Sequence, residues 1–110
     1  MKNPVEDGTL VEIELGSDGT QVLAAGPLSR QPGTMPYRIV LLGRANGSYS
    51  VHSQMFETLE PVPSGDHFMS GDYFAPGANG LVGATKRFGE RVAANAEYLA
   101  SLWREETVAA

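Results

Sequence analysis

The chain has no cysteine. That excludes a disulfide framework, a thiolate nucleophile and any cysteine-ligated zinc site. It has no apolar run approaching the ~20 residues needed to cross a bilayer, so no membrane partner is expected. The opening Met1-Lys2-Asn3-Pro4-Val5-Glu6-Asp7 lacks the apolar core of a secretory signal, which makes the cytoplasm the expected location. Basic residues are few: eight Lys and Arg stand against 13 Asp and Glu, for a net charge of -5. Lys86, Arg87, Arg91 and Arg104 are balanced by Glu90, Glu97, Glu105 and Glu106, so the whole deficit lies upstream. A nucleic-acid binder needs a clustered basic footprint to neutralise phosphates, and none is visible. Histidine is scarce as well, with His52 and His67 the only two.

What the chain does have is one long amphipathic segment, from about Gly80 to Glu105. With Phe88 as origin and ~100° per residue, Leu81, Ala84, Val92, Asn95, Ala96, Leu99, Leu102 and Trp103 fall in one sector. Lys86, Glu90, Glu97, Ser101 and Arg104 fall opposite. Asn79 is the expected N-cap, although Gly80 and Gly83 weaken the first turn. The stripe has to be buried, and the apolar material to cover it lies upstream in strand-like runs.

Those runs come in order. Residues 1–8 read as a loose lead-in. Leu10 to Leu15 alternates cleanly and reads as a half-exposed strand. The Gly16-Ser17-Asp18-Gly19 turn brings back Gln21 to Ala25 as the second arm of a hairpin. Gly26 to Pro36 holds three prolines and reads as an irregular connection. Tyr37 to Leu42 is apolar on nearly every position after Arg38, which places it centrally in a sheet. Beyond the Ala45-Asn46-Gly47 turn, Tyr49 to Phe56 returns with Tyr49, Val51 and Met55 on one side and Ser50, His52 and Gln54 on the other. Ser53 interrupts the apolar side. Phe68 to Phe74 is the fifth strand, its Gly71 marking a bulge or a close backbone approach. Strands precede the helix throughout, so a single α+β domain over residues 1–110 is expected: an antiparallel, mostly meander sheet of about five strands packed against one long C-terminal helix. Phe88, Val92, Leu99 and Trp103 should then lie against Val11, Ile39, Leu41 and Val51.

A helix ~10 Å across covers about half of a five-strand face ~24 Å wide. The apolar back of Tyr37–Leu42 therefore needs another cover: loops, a ligand or a second copy. A homodimer is expected, with Tyr37, Val40, Leu42, Met55 and Phe56 at the contact and Tyr98 at its edge. A protein partner or a small apolar ligand in a cleft formed by the same residues is the alternative. Asn95 lies near the middle of the helix stripe, where it must bond either to an upstream strand or loop or across an interface.

Residues that could carry chemistry are unspecific. Asp66-His67, Ser70 and Asp72, with His52 and Ser53 on the neighbouring strand, contain the types needed for a Ser–His–Asp relay, but no nucleophile elbow sets one serine apart. A hydrolase using His52, His67 and Asp66 is thus a third reading behind the two binding ones. The histidines lack the helical i, i+4 spacing of a zinc motif, even with Asp66, Asp72 and Glu57 near. Gly77 to Gly83 lacks the Lys-Ser/Thr ending of a phosphate-cradling loop. No catalytic, metal or cofactor site is assigned.

The block Gly71-Asp72-Tyr73-Phe74 followed by Phe88-Gly89-Glu90-Arg91 resembles small uncharacterised α+β proteins of bacterial mobile elements and gene cassettes. In those a Gly-x-Tyr-Phe strand end precedes a helix with a Phe-x-x-Arg turn. The resemblance spans about the last half of the chain and implies a fold. It carries no common activity, so the expected role is that of a binding or interaction module.

Overall fold

A computed structural model describes residues 10–11, 19–33, 36–56, 67–69 and 71–109, with side-chain surroundings given from Gly19 to Arg104 within those ranges, His67 excepted. The architecture is α+β: an antiparallel sheet followed by one C-terminal helix. The strands are β1 (Leu10–Val11), β2 (Gln21–Ala25), β3 (Tyr37–Gly43), β4 (Tyr49–Met55), β5 (His67–Met69) and β6 (Asp72–Phe74), and the helix is α1 (Ala78–Ala109). Strands β2, β3, β4 and β5 form the meander, with β1 alongside β5 and β6 alongside β4. No helix of the described residues is long and apolar enough to cross a membrane.

The seven-residue strands β3 and β4 form the centre, paired in full register from Tyr37↔Met55 to Gly43↔Tyr49. Their connection is a three-residue loop: Gly47 N–H donates to Arg44 O at 2.9 Å and Arg44 N–H to Ser48 O at 2.8 Å. Gly47 adopts φ 87°, the left-handed position such a loop requires. The Asn46 side chain accepts the Ser48 N–H at 3.0 Å and locks the turn further.

The expected fifth strand is real but broken. β5 occupies the Gln54–Met55 end of β4 and β6 the Tyr49–Val51 end of that same edge. The break falls at Gly71, where an added Cβ would lie 1.8 Å from Val51 O. At the N-terminal end, Leu10 and Val11 pair with Met69 and Phe68. The expected hairpin partner of Gln21–Ala25 thus starts beside β5, and its residues 12–18 lie outside those described, as do the lead-in 1–8 and the Val11 contact. β2 itself pairs with β3, with a register shift between Val22 and Ala24.

Two apolar clusters result. On the helix side, Ile39, Leu41, Val51 and Ala84 are buried, with Phe88 and Val92 packed against them. On the other side, Val40, Leu42 and Phe68 are buried, with Val22 against them. The expectation of a bare back face is therefore corrected: Val40 and Leu42 are each 0% exposed within a single chain. The flat-sheet estimate overstated the area to be covered, because the fifth strand shares one edge of β4 in two short pieces and does not add its full length to the width.

The helix begins at Ala78, ahead of the expected Asn79 cap, and Gly77 O accepts the first intrahelical bond from Leu81 N at 3.1 Å. Its 32 residues make it ~48 Å long at 1.5 Å per residue, which matches the longest dimension of the molecule, 48 Å. It packs on β3, β4 and β6. The expected burial of the stripe holds for Phe88 and Val92 against the core, while Trp103 remains 38% exposed.

Two glycines of the same segment should respond oppositely to alanine. Gly71→Ala forces the Val51 carbonyl to move and should cost about 1–3 kcal/mol or more. Gly89 lies within the helix with no atom within 4 Å of an added Cβ, so Gly89→Ala should stabilise by about 0.5–1 kcal/mol. Urea unfolding of both variants checks the pair; equal effects would contradict this packing.

Candidate functional site

The register of β3 and β4 sorts the candidate residues onto two faces. Tyr37, Ile39, Leu41, Val51 and Ser53 face α1. Arg38, Val40, Leu42, Ser50, His52 and Gln54 face away from it. The alternation read from Tyr49–Phe56 is thus right in phase, but its polar side is not open to solvent. Ser50, His52 and Gln54 are 0–1% exposed.

His52 achieves this burial by satisfying both ring nitrogens. Nδ1 lies 2.8 Å from Met69 O and must carry the proton, because a carbonyl only accepts. Nε2, 2.8 Å from Ser50 Oγ, then accepts the hydroxyl proton. Phe68 and Tyr73 meet the ring edge-to-face at centroid distances of 6.2 and 5.4 Å. Burial foremost holds the His52 pKa below its usual 6.5, with the Arg44 and Arg91 charges adding and the Met69 carbonyl opposing. The imidazole is neutral.

A serine hydroxyl bonded to an oriented imidazole has the geometry of a nucleophile and its base. Here both groups are completely covered, so no substrate carbonyl can approach the hydroxyl. Asp72 stands on the opposite, helix-facing side and binds Arg87 Nε at 2.7 Å. The expected assembly of His52 with Asp72 is therefore not formed. Asp66, Ser70, Glu57 and the His67 side chain lie outside the described residues. Among the described residues no three metal-ligating side chains converge.

On the helix side, Asn95 is the organising polar group. Its Oδ1 accepts the Tyr37 hydroxyl at 2.7 Å, and its Nδ2 donates to Ser29 Oγ at 3.3 Å. The amide is 4% exposed and bonded within its own chain, which decides between the two expectations for it. Burial raises the Tyr37 pKa above 10.0, opposed by the side-chain bonds from Gln31 and Asn95. One turn earlier, Arg91 reaches Ser53 Oγ at 3.0 Å. That bond accounts for the serine that interrupts the apolar side of β4.

The candidate contact residues fare unequally. Tyr37, Val40, Leu42, His52 and Phe56 are buried in the single chain, so they cannot form an interface without unfolding the sheet. Met55 and Tyr98 are half-buried. The surface that is open lies further along the helix. Past Asn95, α1 runs beside the connection 26–31, and between them is a groove of about 350 Å³. Pro27, Leu28, Val92, Ala96, Leu99 and Trp103 are among its walls. Trp103 Nε1–H donates to Arg30 O at 2.9 Å across one end. Leu28 is 49% exposed on the rim. Sequence reading missed this groove because Gly26–Pro36 carries no periodicity to say where it packs.

Comparison with family models, with curated proteins and with solved structures returns no match.

Two measurements follow from these bonds. Asn95→Ala leaves the buried Tyr37 hydroxyl without its acceptor and should cost about 1–3 kcal/mol, whereas adding Tyr37→Phe should cost less than the sum of the single changes. Additive losses in a double-mutant cycle would show that the bond is not formed. The neutral His52 sets a pH dependence. Below its ordinary 6.5 the unfolded chain takes up a proton that the folded chain refuses, so stability falls as pH drops through that value. The slope should be at most ~1.4 kcal/mol per pH unit and should shrink in His52→Asn. An unchanged slope would mean that His52 is not held neutral.

Proposed function

We propose that the chain is a small interaction module that works as a homodimer, through the C-terminal part of α1 and not through the sheet. The observation that carries this reading is the fate of the apolar stripe once the helix leaves the sheet. Leu99 and Leu102 are half-buried and Trp103 is 38% exposed, with Ala96 and Ala100 open beside them. A surface helix normally buries such a stripe.

The order of residues there suits a two-fold axis. Residues 98–103 read Tyr-Leu-Ala-Ser-Leu-Trp. Reversed about the midpoint between Ala100 and Ser101, aromatic meets aromatic, leucine meets leucine and small meets small. An antiparallel pair of helices centred on that point sets Tyr98 against the partner's Trp103 and Leu99 against the partner's Leu102. That is the self-complementarity an isologous contact needs. The small residues at the centre permit close helix approach at ~8–10 Å.

A second reading has its own support: about 350 Å³ lies within the usual size range of small-ligand sites, and the groove is mostly apolar with Ser29, Arg30 and Asn95 as its polar groups. Light scattering separates the two. The dimer reading expects a mass near twice the 11.7 kDa of one chain, reduced to one chain by Leu102→Glu with the circular dichroism unchanged. A wild-type monomer at micromolar concentration overturns the dimer and leaves the groove to a small apolar ligand.

A further inference from the structure

A second cavity, also about 350 Å³, lies at the turn end of the β3–β4 hairpin, away from the helix groove. It is lined by Thr20, Arg44, Ala45, Asn46, Ser48 and Tyr73. Its lining is mixed in polarity but one-sided in charge: Arg44 is the only charged residue among them. Arg44 Nε is fully covered and has no hydrogen-bond partner among the described residues. A guanidinium donor withdrawn from water without an acceptor is costly, and folded chains rarely leave one so.

The surroundings keep that donor in place. Arg44 N–H and C=O both bond within the loop, to Ser48 O and from Gly47 N, so the backbone that carries the side chain is fixed. Asn46 Oδ1 accepts both the N–H and the hydroxyl of Ser48, which leaves the Asn46 amide nitrogen as a further donor. Tyr73, 58% exposed, stands at the mouth with its ring over His52. Beneath it, His52 is neutral and adds no competing charge, and the nearest described carboxylate on this strand, Asp72, faces the helix and holds Arg87. A pocket of hydroxyl, amide and guanidinium donors with no acid in its lining is unusual in a chain carrying a net charge of -5.

We propose that this pocket binds a small oxyanion, the carboxylate or phosphate group of an anionic metabolite, with Arg44 as the charged donor and Thr20, Asn46 and Tyr73 as polar neighbours. The planar fork of arginine suits either group. The site is independent of the helix contact and holds whether the chain is monomeric or dimeric.

Amide and arginine Nε resonances of the labelled protein, titrated with inorganic phosphate and separately with malonate at constant ionic strength, provide the test. Saturable shifts centred on Thr20, Arg44 and Ser48 are expected with at least one of the two anions, and which one responds tells phosphate from carboxylate recognition. Arg44→Gln should weaken the response about tenfold or more, with Arg44→Lys falling between. Arg87→Gln, on the opposite face, should leave it unchanged. No saturable shift with either anion overturns the proposal. So does a response that spreads over the surface, or one that survives Arg44→Gln intact. The wild-type titration decides the matter even if the Arg44 variants fail to fold.

Discussion

The hydrogen bonds of Asn95 hold three separate parts of the chain at one point. Its carbonyl takes the Tyr37 hydroxyl from the start of β3, and its amide reaches Ser29 in the connection that precedes that strand. All three groups are buried, so each would be left unsatisfied by a slip of the helix along the sheet. Apolar packing of Phe88 and Val92 supplies most of the attraction but tolerates displacement; the amide does not. It therefore sets where the helix stops having a sheet beneath it. Everything beyond Asn95 projects past β3 and lies against the 26–31 connection alone.

The other face of the sheet follows a different logic. There Ser50, His52 and Gln54 are packed with Val40, Leu42 and Phe68, and burial is tolerated because the polar groups bond to one another, to Met69 O and to Arg38 Nε. This is a polar core layer with every ring nitrogen of His52 used. It looks like catalytic chemistry in distance alone, and its complete burial makes it structural. Arg44 differs, because its covered donor has no partner among the described residues and borders a cavity.

Much of this was legible in the residues. The helix, the central strands, the Asn46-Gly47 turn and the break at Gly71 all carry local signals, periodicity in one case and backbone demands in the others. The phase of β4 was legible too. What could not be seen was which face is inside, because alternation tells two faces apart without saying what covers the polar one. The partner of β1 depends on contacts distant in sequence, and Leu10–Val11 has the same alternation whichever strand it joins. The groove escaped for a related reason: prolines and glycines say that 26–36 is irregular, and nothing in them points to Trp103. Asn95 was conspicuous as an amide in an apolar stripe, yet its donor is a tyrosine 58 residues away.

The central claim is that the overhanging end of α1 is completed by a second copy running antiparallel to it. Because the chain has no cysteine, a single introduced one accepts a spin label without background. Dipolar distances between labels at Ala93→Cys and, separately, at Lys86→Cys, both on exposed helix positions, read the arrangement directly. An antiparallel pair centred between Ala100 and Ser101 places the labels roughly 24 Å apart at the first position and roughly 44 Å apart at the second. The same short distance at both positions, or no intermolecular coupling at either, would contradict it.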